Sequence, residues 1–363
     1  MKKSGYYMIL AAVVAAAVIA YFSTPTSILR PERPQTMVSS DPGDEATDET
    51  RTDHNYLMAT ATLGGTYYPV GVAISTLVRV KLLEEDGIAM SAINSAGSGE
   101  NIRLLLSGEV QFAILQGLFG YNAWNGLGDV DQVETRANIR SISMLWRNVE
   151  QFVCRADRLG AGTLTDIAAL TGEKMAFGRR NSGTIESNRV IVASLGIDMD
   201  RVFELFDAGY GPSAEALQNG QVACMSTPAG VPTGAVTAAL AARGDDAAIL
   251  TVTAAELEAA DAGRSLWTRF DIAAETYPGQ AATVATMAQP NFLAVRADVD
   301  EDHVYKVTKT IYENLEFLLN IHAATEAMSL EAAIVGVPVP LHPGALRYYR
   351  EVGIEVPDAL LAE

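Results

Sequence analysis

One local pattern, repeated four times, limits what this chain can fold into: a short apolar run, a loop rich in small polar residues, and an amphipathic helix. Alternation of apolar strands with amphipathic helices is typical of parallel sheets with crossover helices. The apolar runs cover residues 57–62, 89–93, 175–178 and 202–206. The pattern therefore predicts an α/β fold.

The first two units show what each loop contains. In the first, residues 64–66 lead into a helix whose first turn suits Pro69. In the second, residues 94–97 lead into a helix that we expect Ser98 to cap and Gly108 to end. Both loops therefore place small residues directly before a helix.

The later units repeat the arrangement. A strand over residues 110–115 brings Gln116 to its carboxyl end. Farther along, residues 181–184 lead into a third helix, and residues 208–211 lead into a short helix predicted to begin near Pro212. The chain thus offers four similar loops, each at the carboxyl end of a strand.

These loops point to a ligand site. Ligands bind beyond the carboxyl ends of strands in open α/β sheets. Helix N-termini there supply unpaired N–H groups and a partial positive charge, so a carboxylate can bind without an arginine. Two loops precede residue 150 and two follow it. We therefore expect a cleft between lobe 1, residues 56–148 and 284–363, and lobe 2, residues 149–283. Residues 287–295 form the predicted return strand, and a helix is predicted over residues 302–319.

The N-terminus has the composition of an export signal. Lys2 and Lys3 precede an apolar run over residues 6–20, so residues 1–22 are predicted to be a signal peptide. An uncleaved N-terminal anchor is the alternative, because the run approaches the length of a spanning helix. Residues 23–55, which are rich in proline and acids, are predicted to be a flexible linker. The expected location is the periplasm.

Charge and cysteine content limit the partners. The chain has a formal net charge of −18, which argues against nucleic acid and anionic membrane surfaces as partners. Cys154 and Cys224 lie in apolar, strand-like stretches, and an exported location would allow a disulfide between them without requiring one. Without a CxxC pair, and with four scattered histidines, a metal site or a cofactor has little support.

Five segments occur in the order of a known family: GGTYYP at residues 64–69, SAGSGENIRLLLSGEVQFAILQ at 95–116, NSGTIESN at 181–188, TYPGQ at 276–280 and VPLHPGALRYYREVG at 339–353. They resemble the TAXI solute receptors of tripartite ATP-independent periplasmic (TRAP) transporters. The resemblance implies a type II periplasmic-binding-protein fold, with two lobes joined by crossing strands. It also implies a receptor that passes a glutamate-like or dicarboxylate anion, such as 2-oxoglutarate, to a membrane permease.

The resemblance also implies a set of ligand-binding loops, with Tyr67 as a wall of the site. We add Asn94 from the loop of the second repeated unit and Asn188 from the segment at residues 181–188. We also add one arginine because a guanidinium can form a bidentate pair with a carboxylate. That arginine, Arg180, and its neighbour Arg179 depart from the family pattern, and each could instead meet a local acid. The predicted ligand-binding residues are Gly65, Thr66, Tyr67, Asn94, Ser95, Ala96, Ser98, Gln116, Arg180, Ser182, Gly183, Thr184 and Asn188.

The sequence offers alternatives to a receptor. His342, in a Pro-Leu-His-Pro-Gly stretch, looks catalytic, but a proline-bounded His beside tyrosines is interpreted as a packed C-terminal brace. A transferase on the same fold would need a nucleophile beside a base, whereas the loops supply Gly, Ser, Thr, Asn and Gln. A membrane-tethered sensor ectodomain is the third alternative. We predict no catalytic residue and no metal ligand.

Overall fold

The computed structural model describes residues 53–128 and 130–362. The predicted signal and nearly all of the predicted linker lie outside these residues. The first strand begins at His54, two residues inside the predicted linker. In the described part of the chain, no helix is both long and apolar enough to cross a membrane.

Two separate sheets organise the described residues. Sheet 1 consists of β1 (His54–Ala59), β2 (Ile88–Ile93), β3 (Phe112–Gln116), β4 (Ile139–Val149), β10 (Thr268–Ile272) and β11 (Val284–Arg296). Sheet 2 consists of β5 (Phe152–Arg155), β6 (Lys174–Ala176), β7 (Glu204–Leu205), β8 (Cys224–Ser226) and β9 (Ala247–Ile249). We call the part of the molecule built on sheet 1 lobe 1 and the part built on sheet 2 lobe 2.

The two sheets share one topology. In sheet 1 the order β2-β1-β3 continues through an antiparallel β11 to β4. In sheet 2 the order β7-β6-β8 continues in the same way through an antiparallel β5 to β9. This repeated arrangement confirms the predicted α/β fold with two lobes of the type II class.

The chain passes between the sheets at two places. Residues 150–151 join the end of β4 to the start of β5, and residues 250–283 lead from β9 back to β11. β11 packs against the lobe 2 core near Ala288 and against the lobe 1 core from Phe292 onward. The boundary predicted at residue 149 lies near the first crossing. β10 pairs with β11 in sheet 1 although it falls inside the predicted range of lobe 2, and both boundaries stay a prediction.

Helices follow the strands as the sequence pattern predicts, and two boundaries differ. The fourth-unit helix begins at Tyr210, two residues before Pro212. The helix predicted over residues 302–319 is interrupted, because Asn314 has a non-helical φ of −133° and its side chain donates to the Thr310 carbonyl. The helices are α1 (Tyr67–Asp86), α2 (Ser98–Ser107), α3 (Gly117–Asn125), α4 (Gln132–Asn138), α5 (Gly183–Ser194), α6 (Met199–Val202), α7 (Tyr210–Gln218), α8 (Gly234–Arg243), α9 (Ala254–Asp261), α10 (Glu301–Tyr312), α11 (Leu315–Leu319) and α12 (Pro343–Glu351).

Each sheet packs its apolar residues under its own helices. Lobe 1 buries large aromatic side chains such as Trp146 and Tyr349. Lobe 2 has shorter strands, and a disulfide joins Cys154 of β5 to Cys224 directly opposite on β8. The pairing that the sequence left open is therefore present. Burial of apolar surface is the main stabilising contribution in both lobes.

His342 is buried at the point where the C-terminal helix meets sheet 1. The side chain is buried, and its Nδ1 accepts from the backbone N–H of Gly344 at the start of α12. Its own backbone N–H donates to the Ser141 carbonyl of β4. These contacts tie the C-terminal helix to sheet 1, as the interpretation of a packed brace requires.

Candidate functional site

A cavity of about 480 Å³ lies where the two lobes face each other. It is bounded by the loops that follow β1, β2, β3, β6 and β7, together with a segment after β8. The lining consists of Ala61, Thr62, Gly65, Thr66, Tyr67, Ala96, Ser98, Gln116, Arg179, Ser182, Gly183, Thr184, Ala208, Gly209, Tyr210, Pro228 and Ala229. The four repeated units of the sequence thus meet at one place.

Four helices begin at this cavity. The first residues of α1, α2, α5 and α7 are Tyr67, Ser98, Gly183 and Tyr210, and all four line the cavity. The N–H groups of a first helical turn have no intrahelical acceptor, and they carry the positive end of the helix dipole. The cavity therefore offers converging donors suited to a negatively charged ligand.

Ser98 does not cap α2, and that prediction was wrong. The cap position belongs to Gly97, whose φ of 120° is open to glycine and strained for other residues. The Ser98 hydroxyl instead accepts from the backbone N–H of Gln116, at 3.0 Å. This contact fixes the end of β3 against the start of α2.

Gln116 contributes an unpaired acceptor. Its side chain is 3% exposed, and within the described residues its Oε1 atom has no hydrogen-bond partner. Leaving a buried acceptor unpaired costs about 1–3 kcal/mol. Such a group in a cavity wall is suited to a partner that the protein itself does not supply.

Gly183 seals the cavity opposite Gln116. A Cβ atom at Gly183 would lie 2.2 Å from Oε1 of Gln116 and 2.9 Å from Oγ of Ser98. Real Cβ atoms do not approach other atoms so closely, so a larger residue would require the side chains of Gln116 and Ser98 to move or the lobes to part. Glycine therefore allows the close approach of the two lobes here.

Direct hydrogen bonds hold the lobes together beside the cavity. The backbone N–H of Glu100 donates to the Asn181 carbonyl at 2.9 Å, and Arg103 donates to the Asn181 side chain at 3.0 Å. On the other side, the backbone N–H of Gly230 donates to Oγ1 of Thr66 at 3.0 Å. The structure therefore shows the lobes in a closed arrangement.

Two tyrosines form opposite walls. Tyr67 from lobe 1 donates to Oδ1 of Asn291 on β11. Tyr210 from lobe 2 donates to the Pro228 carbonyl at 2.7 Å and lies 2.8 Å from Oγ1 of Thr184. Burial raises the pKa of both phenols well above their ordinary value, so both hydroxyls are neutral at physiological pH.

Several predicted residues lie away from the cavity. Asn94 is exposed to solvent, and Ser95 donates within lobe 1, to the Thr60 carbonyl and to Oδ1 of Asn101. Asn188 donates to the Phe177 carbonyl at 2.8 Å and accepts from Ser226. Their side chains support the loops and do not line the cavity.

The two neighbouring arginines have different environments. Arg180 is exposed and pairs with Asp207 at 3.1 Å, outside the cavity. Arg179 lies among the lining residues instead. Sequence patterns do not show which of the two faces the cavity, because two adjacent residues in an irregular loop have no periodicity that reveals direction, and a ligand contact by Arg180 stays a prediction.

The sequence reasoning also omitted Tyr210 and the segment near Pro228. The loop of residues 208–211 was recognised as the fourth repeated unit, so its position after a strand was a usable signal for Tyr210. No pattern marked Pro228 and Ala229, which come to the cavity through the pairing of β8 with β5.

Comparison with known proteins gives a family. The model of the NMT1-like family matches residues 58–353, most of the chain. The chain belongs to the NMT1-like family. The match begins within β1 and ends just after α12, so it includes both lobes and every loop of the cavity.

This NMT1-like chain also has solved structural neighbours of low identity. The alkanesulfonate-binding protein SsuA from Xanthomonas axonopodis pv. citri is 11% identical, with 83% of this chain and 91% of that chain covered and a TM-score of 0.42. PhnD1 from Prochlorococcus marinus, solved with methylphosphonate, is 10% identical, with coverages of 75% and 90% and a TM-score of 0.49. A TctC solute-binding protein from Polaromonas is 14% identical, with coverages of 77% and 88% and a TM-score of 0.40. Identities this low carry no information about the ligand of this chain.

Proposed function

We propose that this chain is an exported solute receptor that encloses a small organic anion between its lobes and delivers it to a membrane transporter. The observation that carries the proposal is the closed cavity onto which four helix N-termini converge. A site of this kind holds a ligand by many weak donors and releases it when the lobes part.

The composition of the cavity favours binding over catalysis. Among the lining residues in the described part of the chain, none is Asp, Glu, His, Lys or Cys. Covalent or acid–base catalysis needs a nucleophile beside a base, or a titratable group near the reacting atoms. The lining instead supplies hydroxyls, one amide, backbone N–H groups and Arg179, which suit recognition of an oxyanion.

The size and charge of the cavity suit a small carboxylic acid. The space between its lining atoms is about 480 Å³ with the open mouth included, so the enclosed part leaves room only for a small ligand. We propose a glutamate-like compound or a dicarboxylate such as 2-oxoglutarate as the ligand. One carboxylate would lie beside the N-termini of α2 and α5, which meet at the edge of the cavity through Ser98 and Gly183.

The proposed partner is the permease of a TRAP transporter of the TAXI type, and the proposed location is the periplasm. The resemblance in five ordered segments supports the transporter type. The disulfide between Cys154 and Cys224 supports a compartment outside the reducing cytoplasm, because disulfides persist in oxidising environments.

Mass spectrometry of ligand released from protein purified without denaturation tests the proposal. We expect a small carboxylic acid at about one equivalent, which should rebind to the stripped protein when followed by calorimetry. A cleft loaded with an apolar compound, or a stripped protein that binds no compound of a panel of organic acids, would contradict it.

A further inference from the structure

A row of buried polar side chains runs behind the cavity wall, along the strands that connect the lobes. Trp146 and Asn148 are two residues apart on β4 and therefore share one face, and Glu150 follows two residues later, just beyond the end of the strand. Trp146 lies opposite Asn291, and Asn148 opposite Gln289. Directly opposed residues of antiparallel strands point to the same side. Asn291 also lies opposite Gln116 at the end of β3, and we call these six residues the polar row.

The polar row is buried, and several of its polar atoms lack a hydrogen-bond partner from the protein. All six residues are at most 3% exposed. Six of their polar atoms have no hydrogen-bond partner in the described part of the chain: Gln116 Oε1, Trp146 Nε1, Asn148 Nδ2, Asn148 Oδ1, Glu150 Oε2 and Asn291 Nδ2. Three are donors or amide N–H groups and three are acceptors. A mixture of this kind suits water molecules, which donate and accept, better than it suits one ion.

The row begins at the ligand cavity. Gln116 belongs both to the row and to the cavity lining. Tyr67, another lining residue, donates to Asn291 and packs edge-on against Trp146, with ring centroids 5.8 Å apart. One end of the row is therefore at the cavity: Gln116 is part of the cavity wall, and Tyr67, which contacts the next two members of the row, is part of it too.

The row ends at Glu150, where the chain passes from sheet 1 to sheet 2. Oε1 of Glu150 accepts from the indole N–H of Trp267 at 3.1 Å and from Nε2 of Gln289 at 3.3 Å. Neither partner is charged. Burial is the largest cause that raises the pKa of Glu150, to about 7, and the two hydrogen bonds oppose the rise.

Other ionisable groups near Glu150 do not neutralise it. Tyr67 of α1 and Tyr210 of α7 face it from the cavity side, and both are neutral phenols whose pKa is raised by burial. On the flanking elements, Arg147 of β4 donates to Thr268, and Asp261 at the end of α9 accepts from the backbone N–H of Trp267. The carboxyl of Glu150 is thus buried without a cation beside it in the described residues.

Closure of the lobes controls access to the row. Gly183 of lobe 2 lies against Gln116, so the cavity end of the row is sealed when the lobes meet. Parting of the lobes would move Gly183 away from Gln116, and bulk water could then reach Gln116 and the unpaired groups behind it. A hydrated carboxyl ionises more easily than a buried one.

We propose that the polar row holds a chain of internal water molecules, and that lobe closure over a ligand is coupled to uptake of one proton by Glu150. This rests on the proposed function for the role of the ligand, whereas coupling of closure to Glu150 is a property of the protein alone. The step is a simple protonation of a carboxylate to a carboxylic acid, with the proton taken from solvent along the row.

The sign of the pH effect follows from the two states. In the closed state the pKa of Glu150 is about 7, and in a hydrated open state it would approach the ordinary value of 4.5. The contribution of Glu150 to closure is therefore fully present below the open-state pKa. It is lost as pH rises toward about 7 and changes no further above that. Each pKa unit of difference changes the closed-to-open ratio about tenfold, so ligand affinity falls by up to roughly a hundredfold between about pH 5 and about pH 8.

A fluorescence titration without ligand tests the coupling. Trp267 contacts Glu150 directly, so its emission should report ionisation of the carboxyl, and a Trp267→Phe variant checks that the signal comes from it. We expect a transition with a midpoint near 7 in the unmodified protein and none in Glu150→Gln. In Gly183→Val, which should hinder closure of the lobes, the midpoint should fall by about one pH unit or more.

Gly234→Val is the matched control. Gly234 is also the first residue of a helix, α8, and a Cβ atom there meets nothing within 4 Å. The Gly234→Val variant should therefore show the same titration midpoint as the unmodified protein. A buried acid with no link to closure would show the same midpoint in Gly183→Val, and that result would overturn the proposal. So would a transition that survives in Glu150→Gln, or its absence from the unmodified protein. None of these outcomes depends on which solute binds.

Discussion

The two lobes share a topology but differ in how they are held together and in what they present to the cleft. Sheet 1 has strands of up to 13 residues and a core with large aromatic side chains. Sheet 2 has strands of two to four residues and adds a disulfide between two of them. Equal topology therefore does not imply equal sources of stability.

The two lobes also differ in how the polar groups of their cavity walls are hydrogen-bonded. On the lobe 2 wall, three hydroxyls have protein partners: Ser182 accepts from the backbone N–H of Ile185, and Thr184 and Tyr210 are hydrogen-bonded to each other. On the lobe 1 wall, Gln116 keeps an unpaired acceptor that is continuous with the polar row. This contrast suggests that lobe 1 discriminates between ligands while lobe 2 acts as a preformed lid.

Removing the disulfide should give the largest effect and should affect lobe 2. The cystine closes a loop with a sequence separation of 70 residues, for which the chain-entropy estimate is about 4 kcal/mol of stability. Cys154→Ala combined with Cys224→Ala should lower the free energy of unfolding by that amount in denaturant titrations. Hydrogen exchange should show the loss first in sheet 2, and equal loss in both sheets would contradict the contrast.

Gly183→Val should have the next largest effect, on ligand binding. The new side chain would meet Gln116 and Ser98, so it should hinder closure of the lobes, and affinity should fall by at least about a hundredfold, or roughly 2.7 kcal/mol. Calorimetry with the recovered ligand measures the loss, and small-angle scattering should show a larger radius of gyration. Gly234→Val should bind ligand as the unmodified protein does. If both variants bound ligand equally well, the prediction that Gly183 is needed for closure would be wrong.

Substitutions on opposite walls should separate discrimination from closure. Gln116→Met keeps the length of the side chain and removes its acceptor, and we expect a loss of about 1–3 kcal/mol in ligand binding. Thr184→Val removes a hydroxyl that already has a protein partner, and it should change affinity by less than about fivefold, or roughly 1 kcal/mol. Calorimetry of both variants decides, and a larger loss for Thr184→Val would reverse the assignment.

The adjacent arginines should give the smallest difference. Arg179 lines the cavity and Arg180 pairs with Asp207 at the surface. Arg179→Ala should weaken binding by about tenfold because one partly solvated charge is lost, or roughly 1.4 kcal/mol. Arg180→Ala should be near neutral because exposed ion pairs contribute little. A loss of a thousandfold for Arg179→Ala would instead indicate a buried bidentate pair with the ligand.

Much of the architecture could be predicted, because it depends on local patterns. Apolar runs followed by glycine-rich loops located the strands and the helix starts at Tyr67, Ser98 and Gly183 to within a few residues. The carboxyl ends of parallel strands share an edge, so the meeting of the loops followed from topology. Whether these loops bind ligand as predicted awaits the experiments described above.

What could not be predicted depends on distant contacts. The Ser98 hydroxyl is a common capping group, yet its partner is the backbone of Gln116 on a neighbouring strand. Glu150 and Asn291 interrupt apolar stretches as surface residues often do, and only the register of β11 between β3 and β4 shows that they are buried. Sequence periodicity reports which face a residue occupies and says nothing about what covers that face.

The position of β11 also dictates an order of assembly. β3 ends at Gln116 and β4 ends at Val149, but each pairs with β11, which begins only at Val284. Sheet 1 therefore stays in two parts until nearly three hundred residues have been made, whereas the strands of sheet 2 are all present by Ile249. During synthesis, sheet 2 can therefore form before sheet 1 is complete, and the unpaired edges of β3 and β4 are where a chaperone would have most to protect.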